Sequence, residues 1–187
     1  MRANRDRWNS NRVSRWGVPL LILLAMISAE ASPFGEGTVF AKLVGDWEAR
    51  GELTNADDGS VTTIRESWTG KQDGEAAFEM SGTRTFGDEE PHTFTWRFLY
   101  NPTTELIECD LTMSTMDQPM RFEVQVNTEN SSVTMKTPFG EGGELHIVNR
   151  IETDNMAGEV KMTDANGNQT VSGTVEHRRP GQWDAAN

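Results

Sequence analysis

The chain is predicted to be all-β, an antiparallel up-and-down β-barrel of about ten strands. Three observations predict this. Turn signals recur at intervals of roughly nine to fifteen residues, and Asp58-Gly59, Asp73-Gly74 and Asn166-Gly167 are hairpin dipeptides. Between them, apolar and polar residues alternate with the period of a half-buried strand. No segment sustains a 3.6-residue period over a helical length.

Taken in order, Pro33-Phe34-Gly35-Glu36-Gly37 reads as loop, and Thr38 to Leu43 as one helical turn plugging an end of the fold. Strands are expected at 47–54, 60–69, 75–86, 92–101, 105–114, 119–127, 132–138, 144–153, 156–164 and 168–179. The fourth sets Phe94, Trp96, Phe98 and Tyr100 against Thr93, Thr95 and Arg97. The fifth sets Ile107, Cys109, Leu111 and Met113 against Leu106, Glu108, Asp110 and Thr112. In the sixth, Met120, Phe122, Val124 and Val126 oppose Arg121, Glu123 and Gln125. Closing such a meander removes its exposed edges, whereas a two-sheet sandwich is the competing architecture. Pro-Phe-Gly-Glu-Gly occurs at 33–37 and again at 138–142, which reads as two similar turns because the flanking segments do not repeat.

Ahead of this domain, Arg2, Arg5, Arg7, Arg12 and Arg15 precede an apolar core from Val18 to Ile27, and Ala29-Glu30-Ala31 offers a cleavage point before Ser32. That order is expected of a Sec-type secretory signal peptide over residues 1–31, with a periplasmic or extracellular mature protein of residues 32–187. The apolar run is about half of what spans a bilayer, so no stable membrane insertion is expected after cleavage. Cleavage would remove five of the 17 Lys and Arg residues and two of the 29 Asp and Glu residues, leaving a net charge of −15. Such a surface repels nucleic acid and anionic membranes. Cys109 is the single cysteine, so no internal disulfide is available. Its place in an alternating strand predicts a buried, inert thiol.

Gly45-x-Trp47 at the head of the first strand, after a short helical plug, resembles the calycin superfamily of lipocalins and fatty-acid-binding proteins. Together with the Thr-Val-Glu-His-Arg-Arg ending, it is most similar to exported bacterial lipocalin-like domains of unknown function. The resemblance implies that Trp47 closes one barrel end and that a basic residue near the last strand, Arg178 or Arg179, packs across it. The absence of disulfides and the strand number place the chain nearer the fatty-acid-binding and nitrobindin-like layouts. In a nitrobindin-like barrel a late-strand His ligates haem, and His177 is the residue in that position.

The chain lacks His-Glu-x-x-His, paired Cys-x-x-Cys, the phosphate-binding Gly-x-x-x-x-Gly-Lys-Ser/Thr and Gly-x-Ser-x-Gly. Asp164-Ala165-Asn166-Gly167 lacks the ligand run of a calcium loop and reads as a hairpin. His92, His146 and His177 fall on separate strands, and no metal or other cofactor is expected. Polar residues on apolar faces are more informative, because an unpartnered buried charge is costly. Glu66 shares a face with Ile64 and Trp68, Arg84 with Met80 and Phe86, Asn149 with Ile147 and Ile151, and His177 with Val175. If those faces point inward, they make a small-molecule wall together with Trp96, Phe98, Tyr100 and Phe122. Alternatively, Glu66 and Arg84 pair with each other or sit in water at the rim. The expected function is therefore binding of a small apolar or amphipathic ligand. A filled barrel that contacts a protein partner is the second reading, and an enzyme using Glu66 or His177 as acid or base the third.

Overall fold

The computed structural model describes residues 32–183. The signal peptide expected over 1–31 lies outside them. Ten strands follow one another: β1 (Gly45–Asn55), β2 (Val61–Gln72), β3 (Ala77–Phe86), β4 (His92–Asn101), β5 (Leu106–Met113), β6 (Met120–Asn127), β7 (Ser132–Phe139), β8 (Gly143–Ile151), β9 (Asn155–Thr163) and β10 (Gln169–Arg178). Each pairs antiparallel with its sequence neighbours, and β1 pairs with β10, so the sheet is a closed barrel and not a sandwich. The closing seam runs in unbroken register from Glu48 opposite Arg178 to Asn55 opposite Val171.

The hairpins follow the turn chemistry. At the β2–β3 turn the Asp73 amide donates to the Ala77 carbonyl at 2.9 Å, with Gly74 at φ +73°. At β9–β10 the Asp164 carboxylate accepts from the Asn168 side-chain amide at 3.0 Å and from the backbone amides of Asn168 and Asn166 at 2.8 and 2.9 Å, which holds its pKa below the ordinary value. Within β3, Gly82 crosses β2 so closely that a Cβ there would lie 2.0 Å from the Ser67 carbonyl oxygen. A side chain at this point would push the two strands apart.

In place of the helical plug expected over 38–43, the structure has a four-residue 3-10 turn, Phe40–Leu43. Gly45 ends it by starting β1 at φ +100°, in the left-handed region that glycine enters without steric cost. The segment before β1 nevertheless packs against one end of the barrel. Phe34, Phe40 and Leu43 are buried, and the Phe40 ring lies 4.8 Å from Phe34, 5.4 Å from Phe78 and 5.0 Å from Phe98 between centroids. Lys42 Nζ donates to Ser131 Oγ in the β6–β7 turn at 2.9 Å, tying this segment to a hairpin of the same end.

Trp47 is wholly buried there, stacked on Trp68 at 5.4 Å, and its Nε1 donates to the Leu43 carbonyl at 3.1 Å. Of the two arginines open to this role, Arg179 is the one over the indole, 3.9 Å from the ring centroid. Its Nη2 donates to Lys42 O at 2.9 Å, and its Nη1 to Val44 O at 3.0 Å and Asp46 O at 3.3 Å. Arg178 lies elsewhere, stacked over Trp183 at 4.6 Å and paired with Glu176 at 3.2 Å. Arg179→Met should therefore cost about 1–2 kcal/mol in urea unfolding, since it strips a charge-assisted donor from three carbonyls. Arg178→Met should stay within about 0.5 kcal/mol of wild type, as surface changes usually do.

Inside, the larger apolar cluster runs from Phe34 and Phe40 through Trp96 of β4, Cys109 of β5, Phe122 of β6 and Met135 of β7. Cys109 is 1 % exposed and burial pushes its thiol pKa far up, so it is protonated and inert. A smaller apolar cluster of Ala49, Ile64 and Val175, with Leu53 and Phe86 against it, lies on the β1–β2–β10 side. Among the described residues no helix is long and apolar enough to cross a membrane.

Candidate functional site

A cavity of about 150 Å³ lies in the barrel interior, bordered by residues of both apolar clusters. A row of side chains across four adjacent strands gives it its polarity. Arg84 on β3 is in register with Glu66 on β2, Glu66 with Ala49 on β1, and Ala49 with His177 on β10. Period-2 alternation turns all four inward; Arg84, Glu66 and His177 border the cavity, and Ala49 is buried against Ile64 and Val175.

Arg84 Nε donates to Glu66 Oε1 at 2.6 Å, a charge-assisted bond between side chains only 15 % and 5 % exposed. The guanidinium also lies over two aromatic rings, Phe94 at 4.9 Å and Phe86 at 5.8 Å. These contacts hold its plane and shield the pair from water, which strengthens their attraction.

His177 is 6 % exposed. Its Nδ1 lies 3.2 Å from Trp68 Nε1. An indole nitrogen can only donate, so Nδ1 accepts and the neutral ring carries its proton on Nε2. Burial pushes the His177 pKa down to about 4, Glu66 opposes that shift, and Arg84 adds to it. At neutral pH the imidazole is uncharged. Trp68 thus orients His177 from one side and stacks on Trp47 from the other, linking the polar row to the closed barrel end.

Asn149 completes the polar set from β8, where it is in register with Gly158 on β9. A Cβ at Gly158 would come within 2.8 Å of Asn149 Oδ1, so glycine leaves room for the amide. The remaining wall is apolar, with Trp96 and Phe98 on one side and Met80, Met135, Met156 and Met162 around it. Thioethers on unbranched stems adapt to irregular shapes.

Of the residues expected in a ligand wall, Glu66, Arg84, Trp96, Phe98, Asn149 and His177 border this one cavity. Tyr100 and Phe122 do not. Tyr100 is half-buried against the core, and Phe122 is wholly buried behind Trp96, with ring centroids 5.1 Å apart. The four methionines follow the alternation of their strands and are legible from it. The Trp68–His177 bond is not, because it joins residues 109 positions apart. The three histidines do not meet: His92 faces Glu89 at 3.4 Å, and His146 is in register with Lys136 and Lys161. Among the described residues no group of three or more His, Cys, Asp and Glu side chains could hold a metal ion.

No protein-family model and no curated protein matches the sequence. The fold, however, is shared with solved structures. The S-type phycobiliprotein lyase CPES from Guillardia theta is 12 % identical, with a TM-score of 0.53 over 76 % of this chain and 91 % of that one. Rv2717c from M. tuberculosis is 13 % identical, with a TM-score of 0.52 over 74 % of this chain and 93 % of the other. At such identities the likeness is one of fold: a closed antiparallel barrel.

Proposed function

We propose that this chain is an exported member of the calycin superfamily that binds a small apolar or amphipathic molecule in its lumen. One observation carries the reading: a buried acid, guanidinium, amide and imidazole converge on a cavity whose other walls are aromatic and thioether groups. Side chains could have filled the barrel with hydrocarbon, but polar groups stand there instead. Beyond the Arg84–Glu66 and Trp68–His177 contacts, the Arg84 Nη groups, His177 Nε2 and the Asn149 amide have no hydrogen-bond partner among the described residues. The fold itself does not decide between carrier and enzyme, since one protein sharing it is named a lyase. No nucleophile sits beside a base among the residues bordering the cavity, which favours binding over catalysis. A cavity with room for about one small ring, against about 300 Å³ or more for drug-sized sites, favours a small guest over a haem.

Native mass spectrometry of the protein purified from its exporting host tests this. An adduct of small-molecule mass, lost on denaturation, is the expected result, on a chain whose mature end is Ser32. A bare mass, with no rise in melting temperature from any of a panel of small apolar compounds, would favour the filled barrel that meets a protein partner.

A further inference from the structure

The lumen's charge and hydrogen-bonding inventory narrows the class of guest, given that the binding reading above holds. Glu66 and Arg84 cancel one another across their 2.6 Å contact, and His177 is neutral, so the cavity has no net charge to offer. An anionic guest would have to draw Arg84 away from Glu66 and strand a carboxylate that is only 5 % exposed. A cationic guest would compete for Glu66 and strand the guanidinium. Either exchange leaves a buried charge without its partner, the costly half of breaking such a pair.

Donors outnumber acceptors around the cavity, where the free acceptors among the described residues are Glu66 Oε2 and the Asn149 carbonyl. Arg84 uses only Nε toward Glu66, so both Nη groups are without a hydrogen-bond partner among the described residues. His177 accepts through Nδ1 and keeps the Nε2–H. The Asn149 amide adds two further N–H donors with one carbonyl acceptor. Size is the third constraint: a volume near 150 Å³ has room for about one benzene-sized ring.

We infer that the lumen selects an uncharged single-ring molecule bearing a hydrogen-bond acceptor oxygen, in preference to a fatty acid, an organic anion or a cation. The ring lies against Trp96, Phe98 and the methionines, and the oxygen accepts from the Asn149, His177 or Arg84 donors. No bond is made or broken.

Isothermal titration calorimetry with four probes built on one ring tests this: acetophenone, α-methylstyrene, benzoate and benzylammonium. α-Methylstyrene replaces the carbonyl oxygen of acetophenone with a methylene at nearly constant shape, and benzoate and benzylammonium add a charge of either sign. Acetophenone should bind about tenfold or more tightly than each of the other three, the worth of one or two well-placed hydrogen bonds. Asn149→Leu should narrow the acetophenone to α-methylstyrene ratio at least about threefold while leaving α-methylstyrene affinity nearly unchanged. Equal affinity for those two would overturn the acceptor assignment, and tightest binding of benzoate or benzylammonium would overturn the neutral one. Saturable binding of palmitate with none of the rings would overturn the size class while leaving lumen binding intact. If no ring binds but a native adduct is present, the neutral single-ring class is wrong and the carrier reading survives. If neither is seen, both fall.

Discussion

Replacing Arg84 with Met should destabilise the barrel by about 3–5 kcal/mol, because it leaves the Glu66 carboxylate buried and unpaired. The reciprocal change, Glu66→Leu, should cost less, about 2–3 kcal/mol. The asymmetry follows from position. Glu66 is 5 % exposed in the middle of β2, whereas Arg84 is 15 % exposed near the end of β3, and its long stem lets the charged head turn toward water. The double variant, Glu66→Leu with Arg84→Met, should fall within about 1 kcal/mol of wild type, since apolar groups of similar volume replace a whole ion pair at little net cost. Urea unfolding of the four proteins reads all three values as one double-mutant cycle. Near-additive losses would show that the two side chains do not act as a pair. The double variant should also lose the acetophenone preference, which would place the pair in the guest's recognition as well as in the fold.

The pair also shows how far residue patterns reach. Alternation alone puts Glu66 on the face of Ile64 and Trp68, and Arg84 on that of Met80 and Phe86, and all six point inward. All ten strands lie within about three residues of their expected ends, because Asp-Gly, Asn-Gly and Gly-rich turns punctuate the chain where period-2 runs stop. Closure is not legible in the same way: β1 meeting β10 depends on total shear and strand tilt, which no local pattern encodes. The same limit applies at the plug. Gly45-x-Trp47 marks the indole, yet choosing Arg179 over Arg178 requires knowing which side of β10 faces the end, and the two residues are adjacent. Face alone puts Tyr100 on the cavity wall. Its position along β4, one residue short of the strand's end, carries it past the lumen.

Acid should weaken the fold between about pH 6.5 and pH 4, and His177 should account for about 3 kcal/mol of the loss. The sign follows from where the proton goes. Above pH 6.5 the imidazole is neutral in both folded and unfolded chains and contributes no pH dependence. Below it, the unfolded chain takes up a proton that the buried ring refuses until about pH 4, so each step down favours unfolding. Below pH 4 both states are protonated and the penalty stops growing. His177→Gln separates this residue from every other titrating group, since a glutamine carbonyl can still accept from Trp68 Nε1 and carries no charge. The stability difference between wild type and variant should therefore change by about 3 kcal/mol across that window and be flat on either side. Asp58 and Asp164, whose pKa values are lowered by turn hydrogen bonds, act below the ordinary carboxylate range and are common to both proteins, so they drop out of the difference. A constant difference from pH 7 to pH 4 would mean that the ring is wetted or charged in the fold. The tautomer that directs an Nε2–H at a guest would then be wrong too, so this one titration tests the neutral lumen independently of any ligand.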